Sequence, residues 1–352
     1  MAHYTGHQSA QEERGSLAIL AKRGATVGLY FTIREKLRFN PFVNRVIYLS
    51  ESLYPSYFGR LVKDGRRAGG NAATGEGVAL CLRFRDEARF LPEWLEYYLA
   101  AGVDHFYLYN NFSEDGFRSV IQPWMDAGQI TLVDWPKAPA SPAAEEDCIR
   151  RALGRFAWVG FLDADEFVVI RDGGSIGAFL EPFRRAPAVA LSWRMFGSSY
   201  HRTRPKAPVI VAYQHRAVEI NNHVKVFVQP GRVAQCRNSH SWYYHPIAPA
   251  VGEHGNRIYG SLNMKPTADC AWINHYYFKS EEDYLEKAVR RSTLDRVGIT
   301  FPSRRRDRVE EELLKNNDVF DSCAAEYYRA RCQALGRSPE LLDRAAVPDP
   351  LR

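Results

Sequence analysis

The sequence predicts an α/β domain whose central sheet is mostly parallel and covered by helices on both faces. From Val78 onward, short apolar runs alternate with helical patterns, as in parallel strands joined by crossover helices. The runs are apolar throughout rather than alternately polar, as strands buried on both faces are. One of them, Trp158 to Val169, carries Asp163, Asp165 and Glu166 after an apolar stretch. That places carboxylates at the carboxyl end of a strand, where ligands of such folds bind.

The elements follow in order. Residues 1–77 read as an N-terminal extension. Its middle, Leu17 to Phe58, mixes Arg and Lys with aromatics. It fits helices packed on the main domain or a basic amphipathic segment touching a membrane or partner. The stretch 66–77, RRAGGNAATGEG, reads as a linker. Val78–Phe84 is a strand. Ala88–Ala101 is a helix with Leu91, Trp94, Leu95, Tyr98 and Leu99 at helical spacing, and Gly102 stops it. Val103–Tyr109 and Gln129–Asp134 are strands, with a helix from Gly116 to Ala127 between them. Ser141 caps a third helix, which has Pro142 in its first turn, Glu145 and Glu146 near its positive end, and reaches about Arg155. The fourth strand leads to the acids. Beyond Ile170 a short helix is expected over Ser175–Phe183, with strands over Val189–Met195, Val209–Tyr213 and Val224–Val228. A helix over Ser280–Arg291 opens on a capping box of Ser280 and Asp283. Two charged helices follow Arg304. The main domain therefore spans 78–295, and 296–352 form a C-terminal helical tail.

The 352 residues suffice for one large domain or two modest ones. The net charge of +6 is mild and does not point to nucleic acid. Six scattered cysteines form no Cys-x-x-Cys pair, so a zinc ribbon or thioredoxin-like site has no support, and a reducing compartment is the default. No apolar stretch approaches the roughly 20 residues that cross a bilayer. The expectation is a cytoplasmic protein, with peripheral contact to the inner face of a membrane through the extension.

Asp163 and Asp165 repel each other unless a cation or proton lies between them. They suit a hard divalent ion. The loop after the first strand offers Arg83 and Arg85 to phosphate and Glu87 to a ribose hydroxyl. Asp86 and Glu87 equally suit the cap of the next helix. The second loop, Asn110 to Gly116, is polar and carries Asn111 and Asp115; Ser113 or Asp115 would also cap a helix. Seven of the ten histidines fall between His201 and His275. His275 is a candidate metal ligand or a histidine satisfied among aromatics. Trp193, His240 and Trp242 are candidates for a sugar-binding wall or for core. A P-loop, a dinucleotide Gly-x-Gly-x-x-Gly, a Gly-x-Ser-x-Gly elbow and His-Glu-x-x-His are all absent.

The stretch CLRFRDEARFLPEWLEYYLAAGVDHFYLYNNFSEDG (81–116) resembles the opening of glycosyltransferase family 92 and its bacterial, family 2-like relatives. So do FLDADEF (161–167), WRMFGSS (193–199), HVKVFVQP (223–230) and NHYYFKSEEDYLEKAVRRS (274–292). The resemblance covers roughly residues 78 to 295. It implies a GT-A fold, a nucleotide-sugar donor, most often a UDP-sugar, and inversion at the sugar carbon. It also implies Mn2+ or Mg2+ held by Asp163 and Asp165, with His275 as a late metal ligand. Glu87 and Asp115 fall where the family has nucleotide-contacting acids. Relatives tend to have Lys-Asn-Glu where this chain has Arg85-Asp86-Glu87, which leaves the role of the middle residue open.

The expected activity is metal-dependent glycosyl transfer to a glycan, lipid-linked or other hydroxyl acceptor, as in polysaccharide biosynthesis. Its general base is sought among Glu219, Glu253 and Asp269. The rivals are a sugar-nucleotidyltransferase, with attack at phosphorus, and a nucleotide-sugar-binding protein without turnover.

Overall fold

The structure is a computed structural model of the chain and describes residues 40–52, 75–137, 142–287 and 309–343. The chain divides into two compact units, 1–51 and 52–352. The described part of the first is 40–51, in helix α1 (Pro41–Ser52) and the residue before it. Asn40 caps it, its Oδ1 accepting the N–H groups of Phe42 and Val43 at 3.0 and 3.1 Å. The rest of the extension, most of the linker, Ser141 and residues 288–308 lie outside the described residues.

The second unit shows the expected alternation. β1 (Val78–Phe84), α2 (Leu91–Ala100), β2 (His105–Asn110), α3 (Phe117–Asp126), β3 (Ile130–Asp134), α4 (Ala143–Ala152) and β4 (Trp158–Phe161) follow in turn. β3, β2, β1 and β4 lie side by side and parallel. Both faces of β1 are buried. Leu80, Leu82 and Phe84 enter one core with Trp94 and Ile121, whereas Ala79 and Cys81 enter another with Cys148 and Ile149 of α4. Gly160 of β4 is obligatory, since a Cβ there would sit 2.5 Å from the Phe227 ring.

β5 (Glu166–Ile170), α5 (Ile176–Leu180), β6 (Ala188–Phe196), α6 (Val209–Ala212) and β7 (His215–Val228) continue the chain. β7 lies antiparallel between β6 and β4. The hairpins β8 (Val233–Asn238) with β9 (Ser241–Tyr244), and β10 (Ala250–Val251) with β11 (Arg257–Ile258), precede β12 (Ala271–His275). β12 runs parallel to β6 and antiparallel to β5. Helix α7 (281–287) has the expected capping box: Asp283 N–H donates to Ser280 Oγ at 3.1 Å, and Ser280 Oγ–H to Asp283 Oδ2 at 2.7 Å.

Three expectations are corrected. The run 158–169 is two strands: Glu166 N–H donates to Asp163 O and Asp163 N–H to Glu166 Oε2, closing a turn at the aspartates. β5 then leaves β4 to pair with β12. The β-branched run at Val209 is the short helix α6 rather than a strand. The Glu93 carboxylate of α2 accepts the N–H groups of Val209 and Ile210 at 2.7 and 3.0 Å, satisfying the donors a helix start leaves open. The tail is no appendage. After α8 (Val309–Leu314), strand β13 (Val319–Phe320) pairs with β7. Tyr327, Tyr328 and Cys332 of α9 (Cys323–Ala334), and Leu341 of α10 (Glu340–Asp343), enter the core shared by Phe167 and Val168. Gly197 exists for this docking, since a Cβ there would collide with Asn317 and the carbonyls of Lys315 and Asn316.

No helix among the described residues is long and apolar enough to cross a membrane. The six cysteines form no disulfide.

Burial lifts the Glu93 carboxyl from 4.5 to about 7, against the opposing pull of the Ile210 and Val209 N–H groups. The native state therefore holds a proton that the unfolded chain releases. Stability from this group is full below pH 4.5 and is lost as pH rises through about 7. The swing is roughly 3 kcal/mol, at 1.36 kcal/mol per pKa unit. Urea midpoints measured from pH 5 to pH 8 should fall more steeply for the wild type than for Glu93→Gln; equal slopes would contradict the assignment.

Candidate functional site

The Asp163-Ala164-Asp165 turn lies on the rim where β1, β2 and β4 end. One face of α2 holds its backbone. Trp94 Nε1 donates to Asp163 O at 3.1 Å, Tyr98 OH to Glu166 O at 2.9 Å and Tyr97 OH to Val168 O at 2.7 Å. These residues, expected from sequence only as apolar packing or not singled out, bring their polar tips to the turn because helical positions i, i+3 and i+4 share a face. From the other side, Tyr276 N–H donates to Asp165 O at 2.8 Å.

The charge beneath the turn comes from β7. Lys225 is 1% exposed, with Nζ 2.8 Å from Asp163 Oδ2 and 3.4 Å from Glu166 Oε2. Burial alone would lower the Lys225 pKa, but the two carboxylates outweigh it and raise it. Burial pushes Asp163 up and the Lys225 ammonium pulls it lower, with a net fall. Glu166 is fully buried, and desolvation holds its carboxyl well above the ordinary range. Asp163 is the open member, its side chain 49% exposed, beside a small recess lined by Arg83, Glu145, Lys225 and Ser239.

Asp165 is enclosed by two lysines and a histidine. Lys287 Nζ of α7 lies 2.6 Å from Oδ2, Lys279 Nζ 3.6 Å from the same atom, and His275 Nε2 3.6 Å from Oδ1. Burial would raise this carboxyl, but Lys287 and Lys279 hold it well below the usual range. Lys279 is fully buried, takes φ +58°, and sets its ammonium 4.3 Å over the Phe90 ring. Burial and then Lys287 lower it to about 8, against the opposing pull of Asp165 and Glu87. The Lys279 ammonium and His275 Nδ1 are buried without a hydrogen-bond partner. The three lysines escaped the sequence reading. Lys225 had a signal, a lone charge inside the apolar run His223 to Val228. Lys279 and Lys287 had none, because a lysine before and within a charged helix ordinarily faces water.

Asp165 Oδ1 and His275 Nε2 are spaced somewhat wider than adjacent ligands of one small cation. A Mg2+- or Mn2+-like ion takes one or two carboxylates and completes its shell from substrate phosphate and water, and this pair suits that role. Asp163 does not close a three-ligand set with them. Among the described residues the group of three within 4.8 Å is Glu253, His254 and Cys270, elsewhere in the fold.

The loops after β1 and β2 are lashed together. Asp86, at φ +53°, donates its N–H to Ser113 Oγ and accepts Glu114 N–H on Oδ1; Ala88 N–H donates to Asp115 Oδ2. Neither loop acid caps its own helix: α2 and α3 start without a side-chain cap. Asn111 Nδ2 donates to Trp135 O and Lys137 O. Arg83 lies 3.8 Å from Glu145 and Arg85 3.5 Å from Asp86. Arg83 and Asp163 thus border one recess, whereas Asn111 and Asp115 spend their side chains on loop structure.

Trp193 is corrected as a wall: it is buried in the core, with His223 stacked on its ring at 5.3 Å, His275 at 4.3 Å and His240 at 5.4 Å. His240 Nδ1 is 2.8 Å from Val224 O, so it carries the ring proton. Burial and then Lys225 lower this imidazole to about 4, leaving it neutral. Trp242 is corrected: it is fully buried 4.6 Å from Phe161, in the core under β4, and lines no open wall. Glu253 and Asp269 are corrected as bases. Glu253 binds the N–H groups of residues 269–271 at the start of β12, roughly 14 Å along the strand from His275. Glu219 is exposed on β7, beside the residues paired with Arg194 at the rim.

A profile of the family described as glycosyltransferase family 92 matches residues 77–298. A family 92 protein of Ricinus communis is 30% identical over 219 residues, 61% of this chain and 38% of its own length. One of Oryza sativa subsp. japonica is 30% identical over 60% of this chain and 35% of its own. One of Arabidopsis thaliana is 24% identical over 61% and 37%. The chain therefore spans well under half the length of these relatives.

Removing Lys225 would leave buried Glu166 and half-buried Asp163 facing each other without their cation. Breaking a buried pair in this way costs on the order of 3–5 kcal/mol. Lys225→Met should lower the thermal midpoint by several degrees, read by calorimetry at neutral pH; an unchanged midpoint would show that the ammonium is dispensable.

Proposed function

This chain belongs to glycosyltransferase family 92, and from that premise we propose that it moves a sugar from a nucleoside-diphosphate donor to a hydroxyl of a glycan acceptor. The observation that carries the reading is the Asp163–Asp165 turn at the carboxyl end of β4, cradled by Lys225, Lys279 and Lys287. Ligands of parallel α/β sheets enter at that rim.

In this reading Asp165 and His275 would hold a Mn2+ or Mg2+ ion, which would supply positive charge to a departing diphosphate. The chain's own residues do the rest. Lys225 keeps Asp163 ionised and beside the recess. Lys279 and Lys287 add fixed positive charge where the leaving group gathers negative charge, and need no reorganisation as it does so. Arg83 reaches phosphate from the end of β1. Glu87 takes the nucleoside side, with Arg85 next to it. Glu219 is the remaining candidate to take the acceptor proton. A uridine base and inversion at the transferred carbon complete the proposal.

Asp165→Asn and Asp163→Asn should each cut transfer by at least about 100-fold while the far-ultraviolet spectrum stays native. The assay is release of nucleoside diphosphate from a panel of nucleotide-sugars with Mn2+, with and without chelator. Full turnover by either variant, insensitive to chelator, would sink the assignment. Pyrophosphate as the product would redirect it to nucleotidyl transfer.

A further inference from the structure

A second set of ligand atoms gathers away from the acid turn, where the β10–β11 hairpin meets the start of β12. Glu253, His254 and Cys270 each present one atom, all within 4.8 Å of one another. Asp269 lies at their edge: its Oδ2 is 3.0 Å from His254 Nε2, which is 3.7 Å from Glu253 Oε1. Glu253 and His254 of the hairpin turn thus face Cys270 of a separate loop.

The arrangement is held before any ion arrives. Gly252 N–H donates to Asn256 O and Gly255 N–H to Gly252 O, with Gly255 at φ +76°, so the hairpin turn is closed. The Glu253 carboxylate accepts the N–H groups of Asp269, Cys270 and Ala271 at 2.9, 2.6 and 2.6 Å. Oε1 accepts one of these bonds and keeps lone-pair capacity, whereas Oε2 accepts two and is filled. Arg171 binds the carbonyls of Asp269 and Ala268 and fixes the second loop. Cys270 is exposed. Burial raises its thiol, and the Glu253 and Asp269 carboxylates raise it further; that negative field opposes a bare thiolate and attracts a cation.

We propose that Cys270 Sγ, the His254 imidazole and the Glu253 carboxylate form a site for a borderline-soft divalent cation such as Zn2+. Magnesium and calcium prefer an all-oxygen shell, whereas thiolate with imidazole and carboxylate suits zinc. Three protein donors leave the fourth tetrahedral position to water. On ligation the Cys270 thiol gives its proton to solvent and the metal holds the thiolate. The ion would clip the hairpin to the first residues of β12, the strand whose other end carries His275. This site does not depend on the glycosyl-transfer reading.

The test is a titration of the full reduced chain with Co2+, followed by displacement with Zn2+ against a chromophoric chelator. One equivalent of Co2+ should raise a thiolate-to-cobalt charge-transfer band, and Zn2+ should quench it. Cys270→Ser should abolish the band. His254→Asn should weaken Zn2+ at least about tenfold, since even outer partners of a metal site are worth about 10–100-fold. Asp165→Asn should change neither. Absence of the band, its persistence in Cys270→Ser, or unaltered Zn2+ affinity in His254→Asn overturns the proposal.

Discussion

The site rests on one buried ammonium. Lys225 is almost wholly enclosed and contacts both the half-exposed Asp163 and the fully buried Glu166. A lone lysine at that depth would be driven toward neutrality by desolvation. Two carboxylates that close to each other would likewise be driven to hold a proton. Together they satisfy one another, and the outcome is asymmetric. Glu166, deepest in the core, is shifted toward its neutral form, whereas Asp163, nearer to water, stays ionised. The open member of the set is thereby kept negative.

The scaffold around that pair is rigid for reasons of hydrogen bonding rather than bulk packing. Three aromatic residues of α2 bond to the backbone of the turn and of β5. Their rings supply apolar area, while their tips meet carbonyls that the break between β4 and β5 leaves without sheet partners. α2 also sends Glu93 outward to start α6, so one short helix organises both the acid turn and a neighbouring loop. The tail completes the layer by packing Tyr327 and Tyr328 beside Tyr97.

The acids are largely neutralised within the protein. Lys287, Lys279 and His275 surround Asp165 as Lys225 underlies Asp163. Asp165 Oδ1 faces His275 rather than a lysine, so the lysines gather on its other oxygen.

The sequence by itself determined the parallel half of the sheet. Its strands are continuous apolar runs and its helices stop at glycine, and both signals are local. It also singled out Asp163 and Asp165, because two carboxylates after a buried strand are costly without a partner. Tertiary structure alone decided which distant residues meet them. Lys225, Lys279 and Lys287 stand 62 to 122 positions away from the acids they bind, and no periodicity links such positions. Tertiary contacts also overrode local preference: the valine-rich run at Val209 became helical once a buried carboxylate met its N–H groups. Trp242 went to the core and Glu253 to the far end of β12, because a strand's register, not the identity of its residues, selects the rim that each side chain reaches.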